Sequence, residues 1–126
     1  EPTVVFVPTP EHPARMWVGG DSLVDTFGPA LVGGAEETGV VTARWDVRYS
    51  SGLTRPLLFD WADYVSRELA ARPVEIVVFM VGANDAQPIE VEGAGWASFP
   101  GDDWKQEYRT RVGRLMDLLA AHAATV

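Results

Sequence analysis

The chain has 126 residues, a mass of 13.7 kDa and 47% apolar side chains, which is the size of one domain and enough to build a core. A net charge of −8 and a pI near 4.6 argue against binding nucleic-acid backbone or an anionic membrane surface. The absence of Cys removes disulfides, thiolate nucleophiles and Cys-based zinc or iron–sulfur sites, and two widely spaced His do not make a His-rich metal site. The longest apolar run, Ile76 to Val81, is too short to span a bilayer. The chain starts at Glu1 rather than Met, so a segment removed upstream is expected, with an extracytoplasmic or membrane-anchored setting slightly favoured over others.

Four prolines between Glu1 and Ala14 predict an extended connector over residues 1–14, although Val4 to Val7 could pair as a short strand. Arg15 to Val18 reads as a first strand ending at Gly19-Gly20. Ser22 to about Glu37 reads as a helix weakened by Gly28-Pro29 and Gly33-Gly34. Val40 to Tyr49 is a second strand with Val41, Ala43, Trp45 and Val47 on one face. After a loop, Asp60 is a good N-cap for a helix from Trp61 to Arg72, whose Trp61, Val65 and Leu69 recur at i, i+4 and i+8 before Pro73 stops it. Val74 to Val81 is a third strand, almost continuously apolar as a parallel strand buried on both faces should be. Gly82 to Asp102 reads as a long loop. A last helix runs from about Asp103 to Ala123, with Trp104, Tyr108, Val112, Leu115 and Leu119 as its core stripe and Lys105, Glu107, Arg111, Arg114 and Asp117 facing outward.

The order β-α-β-α-β-α predicts an α/β doubly wound parallel sheet with helices on both faces. The third strand reads as central, yet no other segment is left to cover its far edge. A fourth parallel strand beside Val74 to Val81, donated by another polypeptide segment, is therefore expected. Residues 15–126 would then be the N-terminal portion of a larger domain.

In such a sheet, chemistry gathers at the carboxyl ends of the strands. Three segments meet there: Gly19-Gly20-Asp21-Ser22-Leu23, Ser50-Ser51-Gly52-Leu53-Thr54-Arg55-Pro56 and Gly82-Ala83-Asn84-Asp85-Ala86-Gln87. Ser22 falls at a strand-to-helix turn, where backbone N–H groups and the helix dipole face developing negative charge. Gly52 can present its N–H without a side chain in the way, and Asn84 can offer its amide. Two N–H groups, from Ser22 and Gly52, and one amide are the parts of an oxyanion hole. Each segment alone is more often a turn or a helix cap; their coincidence at one sheet edge favours function.

These residues carry a resemblance. Gly20-Asp21-Ser22-Leu23 resembles the first block of the SGNH, or GDSL-type, hydrolases, Gly52 sits where their second-block glycine falls, and Gly82-Ala83-Asn84-Asp85 fits their third block, Gly-x-Asn-Asp. Gly52-Leu53-Thr54-Arg55-Pro56, Phe59-Asp60-Trp61 and Gly82 to Gln87 look like the bacterial DUF459 branch. The resemblance covers roughly Arg15 to the C-terminus. It implies a flavodoxin-like three-layer α/β/α fold, of which this chain supplies three βα units. It also implies Ser-dependent hydrolysis or transfer of acyl esters, with Ser22 as nucleophile and Gly52 and Asn84 as oxyanion donors.

The family's fourth block, Asp-x-x-His, is absent from the chain. His12 precedes the first strand. His122 ends the last helix, roughly 27 Å from Trp104 at about 1.5 Å per residue. The Asp and His are expected from a companion C-terminal fragment or a second chain that also completes the sheet. Asp21, Asp25 and Asp85 suggest a Mg²⁺ site, but Asp25 lies inside the helix and no Lys is near. Arg55 reads as a surface ion-pair residue with an anionic substrate group as the alternative. Trp96, Phe99 and Trp104 read equally as a cleft wall or a satellite core. The expected substrate is a small-molecule or carbohydrate acyl ester, with no metal or organic cofactor required and no nucleic-acid partner. The rival reading is an inactive SGNH-like binding module.

Overall fold

The computed structural model describes residues 6–126. Its elements are β1 (Ala14–Gly20), α1 (Val24–Glu37), β2 (Val41–Val47), α2 (Trp61–Ala71), β3 (Ile76–Met80), β4 (Ile89–Val91), β5 (Gly95–Ala97) and α3 (Asp102–His122). The three long strands form a parallel sheet in the order β2-β1-β3, with Val18 opposite both Trp45 and Val78. With helices on both faces this is the expected flavodoxin-like α/β arrangement. Val4 and Val5 of the possible first strand lie outside the described residues, and Phe6 and Val7 are exposed and not in a strand.

β1, not β3, is the central strand of this sheet. Trp17 and Val18 are fully buried, whereas in β3 only Val77 is, and Met80 is 43% exposed. An unbroken apolar run signals burial but not which edge is paired, so the sequence pattern overstated the coverage of β3. Contrary to expectation, this chain itself touches the outer edge of β3. Thr125 forms a parallel bridge with Ile76: its carbonyl accepts from the Val77 N–H at 2.9 Å, and its own N–H donates to the Glu75 carbonyl at 3.1 Å.

The faces follow the alternation of side chains along a strand. Met16 and Val18 meet Val24 and Val32 of α1 on one face. Trp17 and Val77 meet Trp61, Val65 and Leu69 of α2 and Leu115 and Leu119 of α3 on the other. Trp61 packs edge-on against Trp17 and Phe79. Burying one such indole, at about 200 Å² and about 25 cal/mol per Å², is worth at most about 5 kcal/mol. Both indole N–H groups are satisfied, Trp17 by Asp46 at 2.7 Å and Trp61 by the Ser51 hydroxyl at 2.9 Å. α1 runs unbroken through Pro29, and a Cβ on buried Gly28 would lie 2.9 Å from Val24 Cγ1. Asp60 caps α2 as expected, accepting from the Asp63 N–H at 3.1 Å.

Two expectations are corrected on the carboxyl side. The loop after β3 contains an antiparallel hairpin, β4-β5, turning through Gly93 and Gly95, both with positive φ. Three-residue strands are too short to show a period-2 pattern. In α3, Glu107 and Arg111 are half-buried rather than outward, because the segment after β2 and the hairpin pack over that face. Phe99, Trp104 and Tyr108 form a small aromatic stack, with Trp104 and Tyr108 centroids 4.7 Å apart, and Trp96 stands apart at 67% exposed. Arg55 is exposed and makes no ion pair among the described residues.

Candidate active site

The loops after β1, β2 and β3 are joined by two buried aspartates. The first, Asp21, is fully buried in the turn that leads into α1. Its carboxylate accepts the Leu23 N–H at 2.9 Å and reaches across to the third loop, accepting the Gly82 and Ala83 N–H groups at 3.1 Å each. Gly20 makes this approach possible. Its φ is +153°, and a Cβ there would lie 1.7 Å from the Met80 carbonyl oxygen, which accepts the Asp21 N–H. The glycine before Asp-Ser is thus required by close strand contact. Ser22 follows half-buried, and its hydroxyl and N–H make no hydrogen bond among the described residues. The helix proper starts two residues later than expected, because Asp21 and Ser22 form tight i→i+3 turns with Val24 and Asp25.

The second, Asp85, is 2% exposed and joins the third loop to the second. It accepts the Leu53 N–H at 2.9 Å, the Thr54 N–H at 3.1 Å, the Thr54 hydroxyl at 3.0 Å and the Tyr108 hydroxyl at 2.7 Å. This uses the carboxylate's lone-pair capacity fully. A Cβ on Gly52 would lie 2.1 Å from Asp85 Oδ1, so a glycine lets the carboxylate close on this loop. Burial, then the bond to Asp85, push the Tyr108 hydroxyl well above its usual pKa.

Asn84 Nδ2 donates to the Ser51 carbonyl at 3.0 Å; a carbonyl can only accept, so the amide nitrogen must face it. The carbonyl and N–H of a planar trans peptide point in opposite senses. The Gly52 N–H is therefore aimed to the side of the Ser51–Gly52 peptide away from Asn84, and it has no partner among the described residues. So the fold brings the three sequence-predicted residues to one sheet edge, but in this state Gly52 and Asn84 do not address the same point.

Near Ser22, Asp25 accepts a hydrogen bond from the exposed Tyr49 hydroxyl, which raises the Tyr49 pKa. With Asp21 and Asp85 occupied by N–H and O–H donors and Asp25 by Tyr49, the three carboxylates serve separate partners, and no cluster suited to a metal occurs among the described residues. His12 is exposed ahead of β1, and His122 closes α3. Both lie toward the amino end of the sheet, opposite Ser22.

A cavity of about 490 Å³ opens behind the second loop, walled by Gly52, Leu53, Phe59 and Trp61 on one side and by Glu107 and Arg111 of α3 on the other. Ser22 and Asn84 do not line it. Sequence reasoning read Asp21 and Asp85 only as possible Mg²⁺ ligands and Arg111 as an outward helix residue, and missed that all three hold loop backbone. The aspartates stand inside recognised motifs, but their partners are backbone groups up to 62 residues away. Nothing in the sequence marks Arg111.

No curated protein matches this chain. Residues 15–126 match the model of the family described as "Protein of unknown function (DUF459)". The chain therefore belongs to the DUF459 family, within the SGNH hydrolase-like group.

Proposed function

We propose that residues 15–126 form the N-terminal part of a serine esterase or acyltransferase acting on a small-molecule or carbohydrate acyl ester. The observation that carries this reading is that the hydroxyl and N–H of Ser22, and the N–H of Gly52 in the next loop, have no hydrogen-bond partner among the described residues, while buried aspartates hold both loops. Donors fixed before the reaction stabilise developing charge without reorganising.

Ser22 Oγ attacks the ester carbonyl carbon while a histidine accepts its proton. The carbonyl oxygen, now anionic, receives the Ser22 and Gly52 N–H groups. For Asn84 to join them, its amide must trade the Ser51 carbonyl for the oxyanion as charge develops. Collapse breaks the ester C–O bond, the alcohol leaves with the proton, and water or an acceptor alcohol resolves the acyl-Ser22 intermediate. The histidine and its aspartate come from a companion C-terminal segment or second chain, which extends the sheet from the β3 edge where Thr125 already bridges Ile76.

The position of both His at the far end of the sheet favours one second reading, a binding module that keeps the sheet and has lost the base. A fluorophosphonate probe separates the two. The esterase labels at Ser22, and Ser22→Ala abolishes labelling. Labelling at another serine, or none in the full-length protein, rejects the enzyme.

A further inference from the structure

We propose that Asp85, Tyr108 and Arg111 are positioning residues that aim the Gly52 N–H, so that α3 sets the geometry of the oxyanion loop. This deepens the esterase reading and rests on it. The second loop is gripped at both kinds of backbone group. Asp85 takes the N–H groups of Leu53 and Thr54 and is itself held by the Tyr108 hydroxyl at 2.7 Å. Three residues along α3, on the same face, Arg111 Nη1 donates to the Leu53 carbonyl at 2.7 Å and reaches the Thr54 carbonyl at 3.4 Å. Its Nε is tied to Glu107 at 2.8 Å and its Nη2 to the Glu90 carbonyl at 2.6 Å. The guanidinium fork therefore joins helix, loop and hairpin.

The peptide plane supplies the link to Gly52. The Gly52–Leu53 peptide is fixed through its N–H by Asp85, and the Ser51–Gly52 peptide through its carbonyl by Asn84. With the planes on both sides held, the two free torsions of Gly52 are set and its N–H has one direction. An outward swing of α3, or loss of the Asp85 or Arg111 tether, frees that direction before the oxyanion forms; once Asn84 leaves the Ser51 carbonyl, the oxyanion itself holds the Gly52 N–H. Misplacing a donor by about 1 Å is enough to cost about 100-fold in rate.

The test uses the full-length protein with Tyr108→Phe and Arg111→Lys, each conservative in size. Amide hydrogen exchange of Leu53 and Thr54 is measured by NMR, alongside kcat and KM on p-nitrophenyl acetate. The expected result is at least about tenfold faster exchange at these two amides, unchanged exchange in β1, kcat lower by about 10- to 100-fold and KM within about threefold. Faster exchange with unchanged kcat overturns the proposal, as does a loss of stability with no local change at Leu53 and Thr54. If the unmodified protein neither hydrolyses ester nor labels with fluorophosphonate, the esterase reading fails. The clamp is then judged on exchange alone: localised loosening upholds it and unchanged exchange rejects it.

Discussion

Replacing Gly52 by Ala tests whether this glycine is there for the buried carboxylate rather than for backbone freedom. The new Cβ would sit 2.1 Å from Asp85 Oδ1 and 2.7 Å from its Cγ, so one side must move. Asp85 cannot easily retreat, because Leu53, Thr54 and Tyr108 all donate to it. Overpacking of this kind costs about 1–3 kcal/mol. If the loop yields instead, at least one hydrogen bond to a buried charge is weakened, worth about 1.5–3 kcal/mol. Either way the expected loss is about 1–3 kcal/mol, read as a lower urea midpoint at constant slope. Gly33→Ala is the control. It lies on the exposed side of α1 with nothing within 4 Å of its would-be Cβ, and it should gain about 0.5–1 kcal/mol by helix propensity. A Gly52→Ala protein with its urea midpoint unmoved, and with Leu53 and Thr54 amides still protected, would refute the argument that Asp85 imposes this glycine.

Asn84→Ala should lower kcat about 10²- to 10³-fold with KM within a few-fold, because its amide would act mainly in the transition state; a raised KM with intact kcat would instead assign it to ground-state binding. All three tyrosines are held above their ordinary pKa: Tyr49 by Asp25, Tyr64 chiefly by burial, Tyr108 by burial and then Asp85. Since the neutral phenols are favoured in the folded state, their stabilisation is complete below the unfolded value near 10 and declines as pH rises above it. An absorbance titration at alkaline pH should therefore show Tyr108 ionising last, and early ionisation of Tyr108, or stability rising above pH 10, would contradict this. Replacing Ser51 by Ala should cost about 1–3 kcal/mol in urea unfolding, since it orphans the buried Trp61 indole N–H, and a neutral effect would mean that the indole finds another partner.

Much of the scaffold was legible in the residues because it rests on local periodicity. Trp61, Val65 and Leu69 announce α2, Asp60 caps it, and Val41, Ala43 and Val47 of the expected alternation form the inner face of β2, while Trp45 of the same set stays 45% exposed. What local pattern does not carry is pairing. The apolar run of β3 reads the same in the middle of a sheet or at its edge, and the single Thr125 bridge has no sequence mark. The motif segments could be placed at one edge from topology alone, yet the reasons for their residues could not. Gly52 reads as a glycine that bares its N–H and turns out also to make room for Asp85, and Arg111 reads as an outward helix residue until the carbonyls of Leu53 and Glu90 are seen against it.

Because Asp21 and Asp85 each belong to one loop and bind the backbone of another, the three strand ends share their hydrogen-bond partners. Opening any one of them strands a charged acceptor that is sealed inside the protein. Such segments exchange with solvent together or not at all, and substitutions among them combine non-additively even when they stand 60 residues apart in the chain. A graft that moves one loop onto another sheet would carry half of a bargain. The natural unit of transfer between relatives is the whole set: the turn at Asp21, the segment around Gly52, the Asn84-Asp85 pair, and the helix face that bears Tyr108.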